Sequence, residues 1–228
     1  MDYITGYART LSLNARSTIF IITVAIVVGG LSGIAHSEGA GFYTGVKLGM
    51  SRPTTTKNSL DATVKANKGI RISGVLGYGN GESLRGEAEL FRSKASIYTL
   101  SHPDVSGGSP QDASGNVSAV GLMANGYYDF KTDMAIIPYV GAGVGAVNVS
   151  ANDVTAPGFF TKGNDSDRVL AWQLKAGISY PVSDKTSLTF GYRFFDTKDL
   201  SLVTSTGTPY TADGARSHSL ETGLRYVF

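Results

Sequence analysis

The sequence predicts an all-β protein: an eight-stranded antiparallel transmembrane β-barrel of the up-and-down kind, preceded by a cleavable signal peptide. Three observations carry this. Apolar residues recur at every second position in eight separate stretches, which is the period of a strand and not of a helix. In the last stretch Glu221 and Arg225 share one face while Leu220, Leu224, Tyr226 and Phe228 share the other. An inside-out barrel, with lipid against its apolar face and its charges in the lumen, accounts for that division. The polar segments between stretches alternate long and short, as outer loops and periplasmic turns do in such barrels.

Residues 1–37 stand apart from this pattern. Arg9 and Arg16 precede an apolar run from Ile19 to Val28, and small residues follow through Ala35 and Ser37. A basic start, an apolar middle and a small-x-small exit make a secretory signal. Cleavage is expected after Ser37, leaving 38–228 as one outer-membrane barrel domain. An uncleaved membrane helix is the alternative, because Ile19 to Ala35 just reaches the spanning minimum of about 17 residues. The glycines and serines on its exit side favour cleavage.

The chain contains no cysteine, so an exported domain here has no disulfide and depends on closure of the fold for stability. Without Arg9, Arg16 and Asp2, 18 basic residues face 17 acidic ones. Such a balance carries no nucleic-acid footprint. No apolar run beyond the signal is long enough for a spanning helix, so a membrane crossing has to be made by strands.

The first strand, Gly41 to Met50, sets Phe42, Thr44, Val46, Leu48 and Met50 against Tyr43, Gly45 and Lys47. A long basic loop is expected over Ser51 to Lys68, with Arg52, Lys57, Lys65 and Lys68. The second strand turns Ile70, Ile72, Leu76 and Tyr78 outward and Arg71, Ser73 and Val75 inward, and stops at Gly79-Asn80-Gly81, a tight-turn signal. The third places Leu84, Gly86, Ala88 and Leu90 outside and Arg85, Glu87 and Glu89 inside. Ser93 to Asn116 reads as a second long loop.

The fourth strand, Val117 to Phe130, shows Val120, Leu122, Ala124 and Tyr128 outward, and Lys131 to Asp133 is a turn. The fifth, Ala135 to Val147, opposes Val140, Ala142 and Val144 to Gly141, Gly143 and Gly145. A third loop spans Asn148 to Asp167. The sixth strand alternates most cleanly, with Leu170, Trp172, Leu174, Ala176, Ile178 and Tyr180 opposed to Gln173 and Lys175, and Trp172 falls near its apolar centre. After a turn at Ser183 to Lys185, the seventh puts Leu188, Phe190, Tyr192 and Phe194 outside and Arg193 inside. A last loop, Asp196 to Arg216, leads to the terminal strand, where Leu224 and Tyr226 face out.

Several of these strands resemble a known group. Gly41-Phe42-Tyr43, Asn125-Gly126-Tyr127-Tyr128-Asp129-Phe130, Pro138 to Gly145, Lys175 to Tyr180, Gly191-Tyr192-Arg193-Phe194-Phe195 and the terminal aromatic residue are similar to the opacity-protein and rickettsial-type surface-antigen superfamily of outer-membrane barrels. The resemblance covers nearly all of 41–228. It implies a Gram-negative outer membrane reached by Sec-type export, with membrane lipid and lipopolysaccharide as surroundings. It implies assembly by periplasmic chaperones and the barrel-assembly machinery, with Tyr226 and Phe228 as the assembly signal. It also implies a surface antigen or adhesin that supports envelope integrity and whose loops meet a host or cell-surface ligand.

An eight-stranded barrel is just wide enough to be filled by side chains. The inward charges are Lys47, Arg71, Arg85, Lys175, Arg193 and Arg225 against Glu87, Glu89 and Glu221. Pairing them would plug the lumen, since buried charges persist only when paired and hydrogen-bonded. The alternative is a narrow porin-like path with a positive lining, for which the glycines at 141, 143 and 145 could leave room. No cofactor is expected: Gly141-x-Gly143-x-x-Ala146 has the letters of a dinucleotide fingerprint but not the helix that must follow it. A lipid-modifying enzyme is the third alternative, resting on Ser217-His218-Ser219 and on His102. Adjacent strand residues point to opposite faces, which separates His218 from both serines. Two histidines and no cysteine in 38–228 are a poor basis for a zinc site.

Overall fold

The computed structural model describes residues 40–54, 56–57, 63–101, 111–112, 114–130, 132, 135–156, 159–160, 165–203 and 209–228. The export signal expected at 1–37 and its cleavage point lie outside these residues, as does His102.

Eight long strands form the wall: β1 (Ala40–Pro53), β2 (Gly69–Asn80), β3 (Leu84–Ser101), β4 (Ser114–Asp129), β5 (Ile137–Ala156), β6 (Asp165–Pro181), β7 (Thr186–Thr197) and β8 (Ser217–Val227). Each pairs antiparallel with its neighbours in sequence, and β1 pairs with β8 from Tyr43↔Val227 to Pro53↔Ser217. The sheet is closed, so none of the eight long strands is left as an unpaired edge. The amide of Phe228 donates to Phe42 O at 3.0 Å, which fastens the last residue to the first strand.

Period-two alternation decides which side chains enter the lumen. Leu48, Ile72, Leu122, Leu174, Phe190 and Leu224 lie on the outer wall while Tyr43, Arg71, Glu89, Lys175 and Arg193 are buried inside. At the end holding the short turns, Phe42, Tyr78, Tyr128, Phe130, Tyr180 and Tyr226 form an outer aromatic girdle. Phe42 packs against Tyr78, Tyr128 against Phe130 and Tyr226 against Phe228, with ring centroids 5.1, 5.1 and 5.7 Å apart. Aromatic rings favour the level of the lipid headgroups because they combine apolar bodies with polar edges.

The first short turn is built as expected. Gly81 takes a left-handed φ of 77°, and Asn80 Oδ1 accepts from the amides of Glu82, Ser83 and Leu84 at 2.9, 3.1 and 3.0 Å. Val182 and Ser183 both donate to Thr186 O in the turn before β7. Of the turn expected at Lys131 to Asp133, only Thr132 is described, and its hydroxyl donates to Ile136 O.

The long loops need correction. β3 continues to Ser101 and pairs there with Thr63–Ala66 and Gln111–Asp112, although Ser93 to Asn116 reads as a loop. β5 continues to Ala156, well into the expected loop at Asn148 to Asp167, and pairs there with Phe159–Phe160. Within the expected loop at Asp196 to Arg216, β7 reaches Thr197 and a hairpin forms from Leu200–Val203 and Pro209–Ala212. Above the membrane the outer face of a strand meets water, so it carries polar residues and the outward apolar alternation that marks a spanning strand disappears, although the inner face still buries Ile97 and Val149. Backbone pairing persists because it needs no side-chain pattern.

Trp172 also shifts from its expected place. Its partners are Val144 and Asp196, and β6 runs a further nine residues to Pro181, so Trp172 sits toward the upper rim of the apolar wall. It packs on Phe194, which packs on His218, with centroids 5.2 and 5.3 Å apart. These rings form part of an upper girdle.

Candidate functional site

The lumen is layered. At the turn end, Arg85 donates from Nε and Nη2 to both oxygens of Asp129 at 2.5 and 2.7 Å, a bidentate pair. Its guanidinium also lies 4.6 Å from the ring centre of Tyr127 and 5.6 Å from that of Tyr139. Arg225 shares this layer and donates to Ser179 Oγ at 3.3 Å, with no carboxylate partner among the described residues. One level up, Glu87 accepts from Lys47 Nζ at 2.7 Å, Tyr127 Oη at 2.9 Å and Tyr43 Oη at 3.3 Å.

Glu89 is the hub and has no exposed surface. It accepts from Arg193 Nη2 at 2.5 Å, Lys175 Nζ at 2.7 Å, Asn125 Nδ2 at 3.1 Å and Gln173 Nε2 at 3.2 Å. Arg193 Nη2 also reaches Glu221 at 2.7 Å, while Lys175 stands 3.9 Å from it. Five strands thus converge on two carboxylates: β3 and β8 supply Glu89 and Glu221, and β4, β6 and β7 supply the donors. Arg71 makes no ion pair among the described residues. Its guanidinium lies 3.9 Å from the ring centre of Phe91 and 4.7 Å from that of Phe195.

Beside Arg71 and onward to the loop end the lumen turns apolar. Phe91, Met123, Val147, Val149, Val169, Ala171 and Phe195 pack together there, with Leu200 from the hairpin on top. By parity with Asn125 and with Gln173 and Lys175, Met123, Val169 and Ala171 belong inside, but nothing in the alternation separates a charged storey from an apolar one. Asp129 is a further partner, absent from the inward charges that the sequence suggests. Its parity with Asn125 and Tyr127 marks it as inward, and its place at the strand end obscured that.

The glycine wall of β5 leaves no gap. A Cβ on Gly141 would run into the Tyr127 ring and one on Gly143 into Asn125 Oδ1, while one on Gly145 would come within 2.7 Å of Met123 Sδ. The missing side chains make room for the large residues of β4. A small enclosed space, about 20 Å³, remains among Tyr43, Lys47, Glu87, Tyr127 and Arg225.

Ser217, His218 and Ser219 do not meet. Ser219 is buried in the lumen, while His218 is on the outer wall with Nδ1 2.5 Å from Tyr192 Oη. Phe42, Leu76, Val140 and Tyr192 are likewise on the outer wall, with Trp172 and Tyr226. Above the apolar band, Arg52, Lys65, Lys68, Arg92, Lys94 and Arg168 are exposed and make no ion pair among the described residues.

Comparison with known proteins gives a consistent picture. The sequence model of a family described as outer membrane protein beta-barrel domain matches residues 21–228. The chain is 31% identical over 115 residues to the outer membrane protein PagN of Salmonella typhimurium, an overlap of 46% of this chain and 48% of that protein. It is 30% identical over 130 residues to a protein of Brucella abortus, 46% of each. The chain therefore spans about half the length of the curated relatives it matches. Among solved structures, Neisserial surface protein A superposes with a TM-score of 0.54 at 22% identity, over 84% of this chain and all of that one. That likeness concerns the fold.

Proposed function

This chain belongs to the outer membrane protein β-barrel family and resides in the Gram-negative outer membrane; on that premise we propose that it is a closed surface barrel acting through its extracellular strands and loops, as an adhesin or recognition antigen. The observation that carries this reading is strand length. β3 and β5 have 18 and 20 residues, whereas about 9–11 suffice to cross the hydrocarbon core. Roughly half of each therefore stands above the lipid as paired sheet. A stiff platform of this kind presents contact residues with little ordering cost on binding.

The lumen supports the same reading. Its ion pairs and apolar storey occupy the cross-section that a conduit would need, and eight strands leave no porin-sized channel. The exposed cations above the apolar wall suit the phosphates of lipopolysaccharide, while Leu48, Ile72, Leu174, Phe190 and Leu224 hold the barrel in lipid. Tyr226 and Phe228 serve as the assembly signal for the barrel-assembly machinery.

The test is loop exchange on intact cells. Replacing 201–212 by a short turn spares Leu200 and the Arg216–Asp196 ion pair at 2.8 Å. The expected result is normal folding with altered binding to host cells or matrix. The same exchange at the tips of β3–β4 and β5–β6 completes the series. Unchanged binding for every exchange would overturn the proposal.

A narrow anion path is the second reading, favoured by one observation: the described lumen holds Lys47, Arg71, Arg85, Lys175, Arg193 and Arg225 against Glu87, Glu89, Asp129 and Glu221.

A further inference from the structure

The charge excess in the lumen has a definite location. Lys47 pairs with Glu87, Arg85 with Asp129, and Lys175 and Arg193 with Glu89 and Glu221. Among the described residues, Arg71 and Arg225 are left over. Arg225 borders the mouth at the turn end, an open cavity of about 130 Å³, although its Nε and Nη1 are buried without an acceptor among the described residues. Arg71 is 2% exposed.

A buried cation without a counter-charge is costly, because it gives up its hydration without gaining a partner. The rings of Phe91 and Phe195 offset part of this cost by facing the guanidinium. A ring face is no substitute for a hydrogen-bond acceptor, and Arg71 Nε and Nη1 have no acceptor among the described residues.

The same level of the lumen contains further donors without acceptors. Arg193 commits only Nη2 to the two carboxylates, so its Nε and Nη1 are free, and the hydroxyls of Ser73 and Ser219 have no partner among the described residues. Ser219 is the register partner of Arg193 on the adjacent strand, whereas Ser73 is the partner of Phe91 and of Lys47 and stands apart from Ser219. Arg71 reaches from β2 to Phe195, the next inward residue above Arg193 on β7. Four guanidinium nitrogens and the Ser219 hydroxyl, all within the closed wall, thus lie beside the Phe91–Phe195 pair, whose ring centroids are 5.7 Å apart.

We propose that this level of the lumen is an anion site, in which a single small monovalent anion of the halide class is held by Arg71 and Arg193 with Ser219. The donor set is all N–H and O–H, which suits an acceptor-only ligand. The local charge of Arg71, Arg193 and Lys175 against Glu89 and Glu221 is one positive unit, which one monovalent anion cancels. A divalent oxyanion would reverse the sign and have to shed a tighter hydration shell. Binding there ties β2 to β7 and β8 across the barrel, a link that the hydrogen bonds of the wall do not make.

Bromide is the probe, used on the full chain extracted folded from outer membranes in detergent. Crystals soaked in sodium bromide are expected to show an anomalous peak at hydrogen-bond distance from Arg71 and Arg193. At constant ionic strength, the unfolding temperature is expected to be higher in bromide or chloride than in gluconate, and this difference is expected to vanish in Arg71→Met. Ser219→Ala, which removes one small donor, is expected to fold and to need several-fold more bromide for half its effect. If Arg71→Met does not fold, the bromide map and Ser219→Ala decide the matter. No anomalous peak, with equal unfolding temperatures in bromide and gluconate, would assign the donors to water alone and overturn the proposal. A halide effect that persists undiminished in folded Arg71→Met would do the same.

Discussion

Glu89→Gln tests whether the lumen network holds the wall together. The substitution keeps the shape and removes the charge that Arg193 and Lys175 share, both of them buried. Arg193 keeps Glu221 at 2.7 Å, but the nearest remaining carboxylate to Lys175 is Glu221 at 3.9 Å. Removing one partner of a buried ion pair costs about 3–5 kcal/mol. Because one of the two cations keeps a good partner, the lower end applies, about 3 kcal/mol, or roughly a hundredfold in the folding equilibrium. The assay is urea unfolding in detergent or vesicles, followed by the fluorescence of Trp172, the single tryptophan, and by heat-modifiable migration on gels. Adding Lys175→Met to Glu89→Gln removes the stranded cation and is expected to restore about 1 kcal/mol or more. A loss below about 0.5 kcal/mol for Glu89→Gln, the scale of an ordinary surface change, would refute the reasoning.

Depth in the membrane makes a second prediction. Leu174→Arg, nearer the middle of the outer wall, is expected to cost about 2–4 kcal/mol, and Trp172→Arg, toward the upper rim, about 0–1 kcal/mol beyond its lost packing; equal costs, read in urea by heat-modifiable migration because Trp172→Arg removes the fluorescent probe, would contradict the placement of the band. Gly143→Val drives a side chain into Asn125 Oδ1, which already occupies the space its Cβ would need, and is expected to cost about 1–3 kcal/mol by overpacking, partly relieved by a second change of Asn125→Ala, since Ala124 O would still lie 2.9 Å from that Cβ. In planar bilayers the folded wild-type protein is expected to be electrically silent. Stable anion-selective steps that shift on neutralising Arg193 or Arg225 would replace the closed barrel by the narrow path.

The fold was legible because a barrel in lipid writes its geometry into alternation. Each residue of a spanning strand faces either hydrocarbon or the lumen, so the outward set from Phe42 to Tyr226 and the inward set from Lys47 to Arg225 follow from parity once a strand is recognised. That rule stops at the headgroups. Beyond them β3, β5 and the hairpin at Leu200 are strands by pairing alone, and their polar sequences look like loops.

The sequence by itself determined the class, the eight strands, their order and the face on which each charge lies, because these depend on period two and on local turn signals such as Asn80-Gly81. Only the tertiary structure decided which charges meet. Glu89 stands between Arg193 and Lys175, more than 80 positions away along the chain, because ring closure and strand stagger bring those levels together. The same closure left Arg71 beside phenylalanines rather than carboxylates. Parity assigns a residue to the lumen but not to a height within it, and height is set by the register of strands around a closed ring.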